Sequence, residues 1–260
     1  MPQNIILNGG HAAFDSDINL QFPAQITVSS VNSDNRIGKG CFCNTSIQEV
    51  TIDSSIEILN SWCFLNCSSL KKINGLPNIK YLVQGVFNGC INLEGEIDLS
   101  NVVSVYLNER WDGAAQDEYL TDSFKNCQKI TSVKLGHIEG FLARTQGGDA
   151  RSPFYNCSML HTVDVNSMDT IMMTSEHPER GAFFTDGVGW ECASMRNFVL
   201  RCTTVPTIIG GGDTSDINMG WFGGSQVTIY VPDSALNDYK TAWAAIASNI
   251  KGISEYTPIV

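Results

Sequence analysis

Phe64-Leu65-Asn66-Cys67-Ser68-Ser69-Leu70 is the stretch on which the fold turns. It recurs in full as Phe87-Asn88-Gly89-Cys90-Ile91-Asn92-Leu93, as Phe124-Lys125-Asn126-Cys127-Gln128-Lys129-Ile130 and as Phe154-Tyr155-Asn156-Cys157-Ser158-Met159-Leu160. Phe42-Cys43-Asn44-Thr45-Ser46-Ile47 is the same phrase one residue short. The apolar pattern that follows is shared too: Ile73 and Leu76, Ile97 and Leu99, Val133 and Leu135, Val163 and Val165. A degenerate sixth copy runs from Cys192 to Leu200, with Phe183 or Phe184 ahead of it, and a seventh near Phe222 ends in Val227-Thr228-Ile229-Tyr230-Val231.

The motif phenylalanines are 22, 23, 37 and 30 residues apart, so the basic unit is 22–23 residues. That is too short for two-helix repeats and falls in the ~20–29-residue leucine-rich class. Each unit holds two short apolar runs. One follows the motif and alternates like a strand, as in Glu49-Val50-Thr51-Ile52; the other precedes the next Phe, as in Ile79-Lys80-Tyr81-Leu82. One turn cannot bury its own apolar side, whereas stacked turns share a continuous core. The fold expected is a β-rich repeat solenoid, a leucine-rich-repeat-like right-handed coil of 22–23-residue turns with a C-terminal helical cap. Residues 1–37, which lack the Phe/Cys motif, read as an N-terminal cap or attachment segment; 38–232 as the solenoid with loop insertions; and 233–260 as the helical cap. In that last piece Asp233 or Ser234 is the expected N-cap, and Leu236, Tyr239, Trp243 and Ile246 form an apolar stripe.

These units resemble the BspA-like leucine-rich repeat family, whose pattern is roughly Ala-Phe-x-x-Cys-x-x-Leu-x-x-Ile-x-Leu-Pro. The resemblance covers residues 38–232. It departs in the residue before Phe (Cys41, Cys63, Val86, Ser123, Pro153) and in the insertions. It implies extracellular adhesins and surface proteins, with similar repeats in phage and protist proteins, and it implies no catalysis. The Val231-Pro232-Asp233-Ser234…Tyr239-Lys240…Trp243 segment is similar to terminal elements that follow such repeats in Bacteroidetes and phage proteins.

Composition narrows the function. The 260 residues are 43% hydrophobic and 17% charged, with a formal net charge of −11. That suits an ordered chain with a large core and disfavours nucleic acid or anionic membrane as partners. No apolar run is long enough to span a bilayer, so no membrane insertion is expected. The first ten residues lack a basic n-region and a long h-region, so no signal peptide is visible and Met1 reads as an initiator.

Most chemical signals dissolve into the repeat. Cys67, Cys90, Cys127 and Cys157 hold one repeat position and read as a column of small buried core residues, which Cys192 joins; Cys202 has no assignment. No cysteine or histidine spacing matches a zinc site, nothing supplies a base to a nucleophilic thiol, and no cofactor motif is present. Ile37-Gly38-Lys39-Gly40 is not a phosphate loop, and Asp213, Asp216 and Asn218 lack EF-hand spacing. Of three N-glycosylation patterns, at Asn44, Asn66 and Asn156, two are by-products of the motif itself.

What breaks the repeat is the clue left for function. Insertions around Asn108–Gly113, Arg144–Asp149, Glu176–Trp190 and Gly210–Trp221 fall at one phase of the turn, and insertions at one phase emerge along one edge. The rim so formed carries Trp111, Tyr119, Arg144, Arg180, Trp190 and Trp221. Trp, Tyr and Arg are the side chains that dominate recognition surfaces; the competing reading folds these aromatics back over the core. The function expected is a non-enzymatic recognition module for a protein or glycan on a cell surface, set in a phage virion fibre or tail. A bacterial cell-surface adhesin, or a structural spacer assembled as a homo-oligomer or larger particle, is the alternative.

Overall fold

The computed structural model describes residues 3–7, 22–30, 35–103, 122–142, 145–146, 149–150, 153–172, 192–209, 217 and 219–259. In chain order the strands are β1 (Gln3–Leu7), β2 (Gln25–Ser30), β3 (Arg36–Ile37), β4 (Glu49–Ile52), β5 (Ile58–Leu59), β6 (Lys72–Asn74), β7 (Tyr81–Leu82), β8 (Glu94–Leu99), β9 (Lys129–Leu142), β10 (Thr145–Gln146), β11 (Asp149–Ala150), β12 (Thr162–Met172), β13 (Asn197–Leu200), β14 (Thr207–Ile209), β15 (Thr228–Val231) and β16 (Ile250–Gly252). Helix α1 spans Leu236–Ala242 between two 3-10 stretches. Apart from the small antiparallel pair β10–β11, the sheets are parallel.

The sequence motif sets the register. Ile26 pairs with Val50 and Val50 with Ile73; further on, Val133 pairs with Val163, Val163 with Phe198, Phe198 with Ile229, and Ile229 with Ile250. The same repeat position thus recurs on each neighbouring strand, which makes rows of apolar side chains pointing into one core. A second sheet, β3–β5–β7, carries the run that precedes each Phe. In the later part β9 and β12 are long enough to run through both faces. Their first halves join β8 and β13, and the end of β12 pairs with β14.

At the N-terminal end β1 and β2 pair in parallel with each other, and β2 pairs with β4 in the same sheet. The 1–37 segment lacks the Phe/Cys corner yet supplies strands at the repeat spacing, and Phe22 packs edge-on against Phe42. At the other end, Asp233 and Ser234 do not cap α1, whose N-cap is Ala235 without a side-chain cap bond. The Asp233 carboxylate instead accepts hydrogen bonds from the backbone N–H and hydroxyl of Ser254, 3.3 and 2.8 Å away. The apolar stripe does form: Tyr239, Trp243 and Ile246 are buried and Leu236 packs partly against the core.

Candidate functional site

Each motif corner is built in the same way. The Phe rings stack down the core: Phe42 on Phe64 at 5.5 Å, Phe64 on Phe87 at 5.9 Å, Phe87 on Phe124 at 5.7 Å and Phe124 on Phe154 at 5.4 Å between centroids. Beside them each motif thiol donates to the Phe carbonyl of the preceding turn: Cys67 to Phe42 (2.9 Å), Cys90 to Phe64 (3.1 Å), Cys127 to Phe87 (3.1 Å), Cys157 to Phe124 (3.0 Å) and Cys192 to Phe154 (3.0 Å). Each of these carbonyls also accepts a bond from within its own corner, the Thr45 hydroxyl at Phe42 and the backbone N–H of the motif cysteine at Phe64, Phe87, Phe124 and Phe154, so the thiol is a second donor, one that ties each turn to the next. Asn44, Asn66, Asn126 and Asn156 occupy left-handed backbone, which Asn tolerates better than most residues. Their amides link turns, Asn66 to Asn44 at 3.3 Å and Asn156 to Asn126 at 2.9 Å. Those side chains are corner struts, which accounts for the sequence pattern that mimics glycosylation sites.

The thiols are inert by placement. Burial, aided by Cys43, pushes Cys41 up to about 12, and burial also raises Cys63, Cys90, Cys127 and Cys157. Cys67 is shifted down instead, chiefly by the neighbouring Cys90 thiol and also by Thr45. Cys43 and Cys202 are half-buried and the other seven cysteines are buried. Cys202 packs beside the Tyr239 hydroxyl, which donates to the carbonyls of Cys202 and Thr204. Iodoacetamide is therefore expected to modify no more than Cys43 and Cys202 in the native chain and all nine thiols in denaturant, read by mass spectrometry. Rapid native labelling at Cys127 or Cys157 would contradict the column.

One corner position departs from the pattern. Gly40, Gly85 and Asp122 have positive φ, and at the matching place in the second turn stands Trp62 with φ 59°. Its indole lies over Gly85, where an added Cβ would sit 2.4 Å from the ring, and Lys39 caps it at 4.7 Å from the ring centroid. Gly85→Ala is expected to cost about 1–3 kcal/mol, from left-handed strain plus displacement of the ring. Urea melts of the single and double variants with Trp62→Gly should show the two effects coupled rather than additive.

The rim predicted from the insertions has a visible root. Leu142 pairs with Met172 and Met172 with Ile209, so three inserted loops leave from the ends of adjacent, registered strands. The loop after Val103 starts from the same side: Val103 donates to Lys80 of the previous turn, and the Val102 carbonyl accepts from His137. Trp111, Tyr119, Arg144, Arg180 and Trp190 lie outside the described residues, as do Asp213, Asp216 and Asn218. Trp221 corrects the expectation. It is 1% exposed, in the 3-10 stretch Met219–Phe222, and belongs to the core rather than to an exposed rim. Its indole N–H has no hydrogen-bond partner among the described residues. Phe222 beside it fills the corner position, packing on Phe198 and Trp243, so Trp221 fills core where the repeat meets the cap. The signal was present in the sequence: Trp221-Phe222 stand just before a strand, where every other turn buries its Phe.

One polar group deserves a chemical test on geometry. His137 Nδ1 is 2.8 Å from the Ser167 hydroxyl and its Nε2 is 3.4 Å from Asp169. A hydroxyl, imidazole and carboxylate in line are the parts of a nucleophile set, but catalysis needs an acid buried against the ring and donors for an oxyanion. The Asp169 side chain is 62% exposed, so water screens it. Among the described residues no group of three or more His, Cys, Asp or Glu is placed to hold a metal ion.

Residues 10–109 match the BspA type leucine rich repeat region, in six copies. Over this stretch the chain is similar to BspA-type repeats. The match begins inside the 1–37 segment, in agreement with the pairing of β1 and β2. Beyond residue 109 the corners at Phe124, Phe154 and Cys192 repeat the contacts of the earlier ones. No curated protein sequence matches the chain. Among solved structures, a leucine-rich repeat protein from Bacteroides ovatus is similar at 15% identity with a TM-score of 0.33, over 90% of this chain. The chain spans 65% of that protein's length. BspA-type leucine-rich repeats generally mediate protein binding and are often surface-associated, and no catalytic family is indicated. Among the described residues no helix is long and apolar enough to cross a membrane.

Proposed function

We propose that the chain is a non-enzymatic recognition module, a right-handed solenoid of 22–23-residue turns that binds a protein or glycan on a cell surface. The inserted loops carry the contact, with Trp111, Tyr119, Arg144, Arg180 and Trp190 as its anchors and Trp221 withdrawn to the core. The observation that supports this is the registered root: Leu142, Met172 and Ile209 stand side by side, so loops of unrelated sequence rise from one line. A rigid edge that presents variable loops is how a scaffold makes a binding face without disturbing its core. The setting we favour is a phage virion fibre or tail component, with a bacterial surface adhesin next; the net charge of −11 and the resemblance of the terminal segment support it.

The test is binding of fluorescently labelled protein to intact bacterial cells, measured by flow cytometry. Trp111→Ala, Trp190→Ala and Arg180→Ala combined are expected to lower saturable binding at least tenfold, a loss of a few hot-spot contacts, with the thermal midpoint unchanged. Undiminished binding by the triple variant would move the function off the rim and favour a structural spacer.

A further inference from the structure

On β12, β13 and β15 the side chains that point away from the core are Thr162 and Asp164, then Asn197 and Val199, then Thr228 and Tyr230. Four of these six are themselves buried: Val199 is 0% exposed, Thr162 5%, Asn197 7% and Asp164 8%. Val199 takes no part in the main core cluster. What lies against this face is the segment after β16, whose Tyr256 ring packs tilted at 55° against Tyr230, 5.0 Å between centroids. Burial, and then the Asp164 carboxylate, pushes the Tyr256 hydroxyl up, and the Thr162 hydroxyl and Arg201 lie beside it. Arg201 clamps Asp164 from the rim of the recess through two hydrogen bonds of 2.8 and 2.7 Å.

The segment itself gains little from this placement. Ser254, Glu255, Thr257, Pro258 and Ile259 are exposed, and only Ile253 and Tyr256 are half-buried. It is tied at its start by Asp233 to Ser254 and then held by one side chain. A recess lined by an aromatic ring, a small apolar floor and fixed polar groups, filled by a single tyrosine in extended backbone just after the 3-10 turn Ile253–Glu255, is a geometry that suits peptide recognition.

We propose that the outer face of β12, β13 and β15 is a docking surface for an extended peptide bearing an aromatic side chain, and that Ile253–Ile259 occupies it in cis as a latch held by Tyr256. This proposal does not depend on the loop rim. A partner segment that stacks on Tyr230 and reaches Thr162 competes with the latch at very high local concentration, so the free surface is available only to a ligand that outbids the tethered one.

The experiment uses the full chain carrying Tyr256→Ala and, as probe, a fluorescent peptide of the sequence Ile253-Ser254-Glu255-Tyr256-Thr257-Pro258-Ile259, followed by anisotropy. The variant is expected to bind the peptide saturably, with Kd on the order of micromolar and at least tenfold tighter than the wild-type chain. It should keep its thermal midpoint within about 5 °C. The same peptide with alanine in place of tyrosine should not bind, and Tyr230→Ala added to the variant should abolish capture. Absence of saturable binding, equal binding by the wild-type chain, or a fall in the midpoint beyond about 10 °C would each overturn the proposal, the last by showing Tyr256 to be part of the fold rather than a latch.

Discussion

Phe64→Ala is expected to cost the chain about 3–5 kcal/mol, the range for emptying a buried phenylalanine site. Phe64 is wholly buried and stacks on both sides, on Phe42 at 13° and on Phe87 at 12° between ring planes. Truncation removes two aromatic contacts worth about 0.5–1.5 kcal/mol each beyond the area they bury. It also opens a void between turns whose spacing is fixed by backbone bonds, Phe42 N–H to Cys63 O and Phe64 N–H to Val86 O, so the column cannot collapse to fill it. Phe22, half-buried and edge-on to Phe42, should lose less than half as much on the same change. Urea denaturation at constant m-value measures both. Equal small losses at the two positions would mean that the rings do not act as one column.

The second large effect is alkaline unfolding. Five thiols, Cys41, Cys63, Cys90, Cys127 and Cys157, are held protonated by burial, while an unfolded chain releases those protons near 9.0. The sign follows from proton counting. Above that pH the unfolded state binds fewer protons than the folded one, so stability falls as pH rises, and below it these thiols contribute no slope. Each thiol shifts the unfolding equilibrium up to tenfold per pH unit, so five together approach about five decades per unit. A domain of ordinary stability has roughly four to eleven decades to lose, which places the midpoint one to two units above 9.0. Circular dichroism across pH 8–12 in reductant should show a steep transition. Replacing Cys127 and Cys157 by alanine should make it shallower by about two decades per unit, even though each change also removes a donor to a Phe carbonyl. A chain that stays folded to pH 12 would show that the thiols are not shielded.

The repeat was legible because its physics is local. A Phe, an Asn or Gly in left-handed backbone and a Cys at fixed spacing define one corner, and the corner defines the strand after it. The cysteine column followed from spacing alone. Its donor role to the Phe carbonyls did not, because that bond joins turns rather than neighbours in sequence. Residues 1–37 were set apart for lacking the Phe/Cys motif, yet strand pairing needs only alternating apolar residues at the right distance, as Ile26 and Val28 provide. Trp221 looked like a rim residue because loop composition surrounds it; its burial comes from tertiary packing that the local sequence does not show. Asp233 looked like a helix cap for the same reason, and its partner Ser254 is 21 residues away. The strap under Tyr256 left no trace in the pattern, since an exposed tail and a seated one have the same composition.

The thiol-to-carbonyl bonds also bear on how freely the chain can change length. Across the early turns they span 25 and 26 residues; across the later ones, 40, 33 and 38. The entropy of closing a loop grows only with the logarithm of its length, so going from 25 to 40 residues costs about 0.4 kcal/mol. That is an order of magnitude less than one missing ring in the column. Substitution inside a corner is therefore heavily penalised and insertion beyond β9, β12 or β14 is nearly neutral. Drift in such a gene would conserve the spine letter by letter while rewriting whatever grows from its edge.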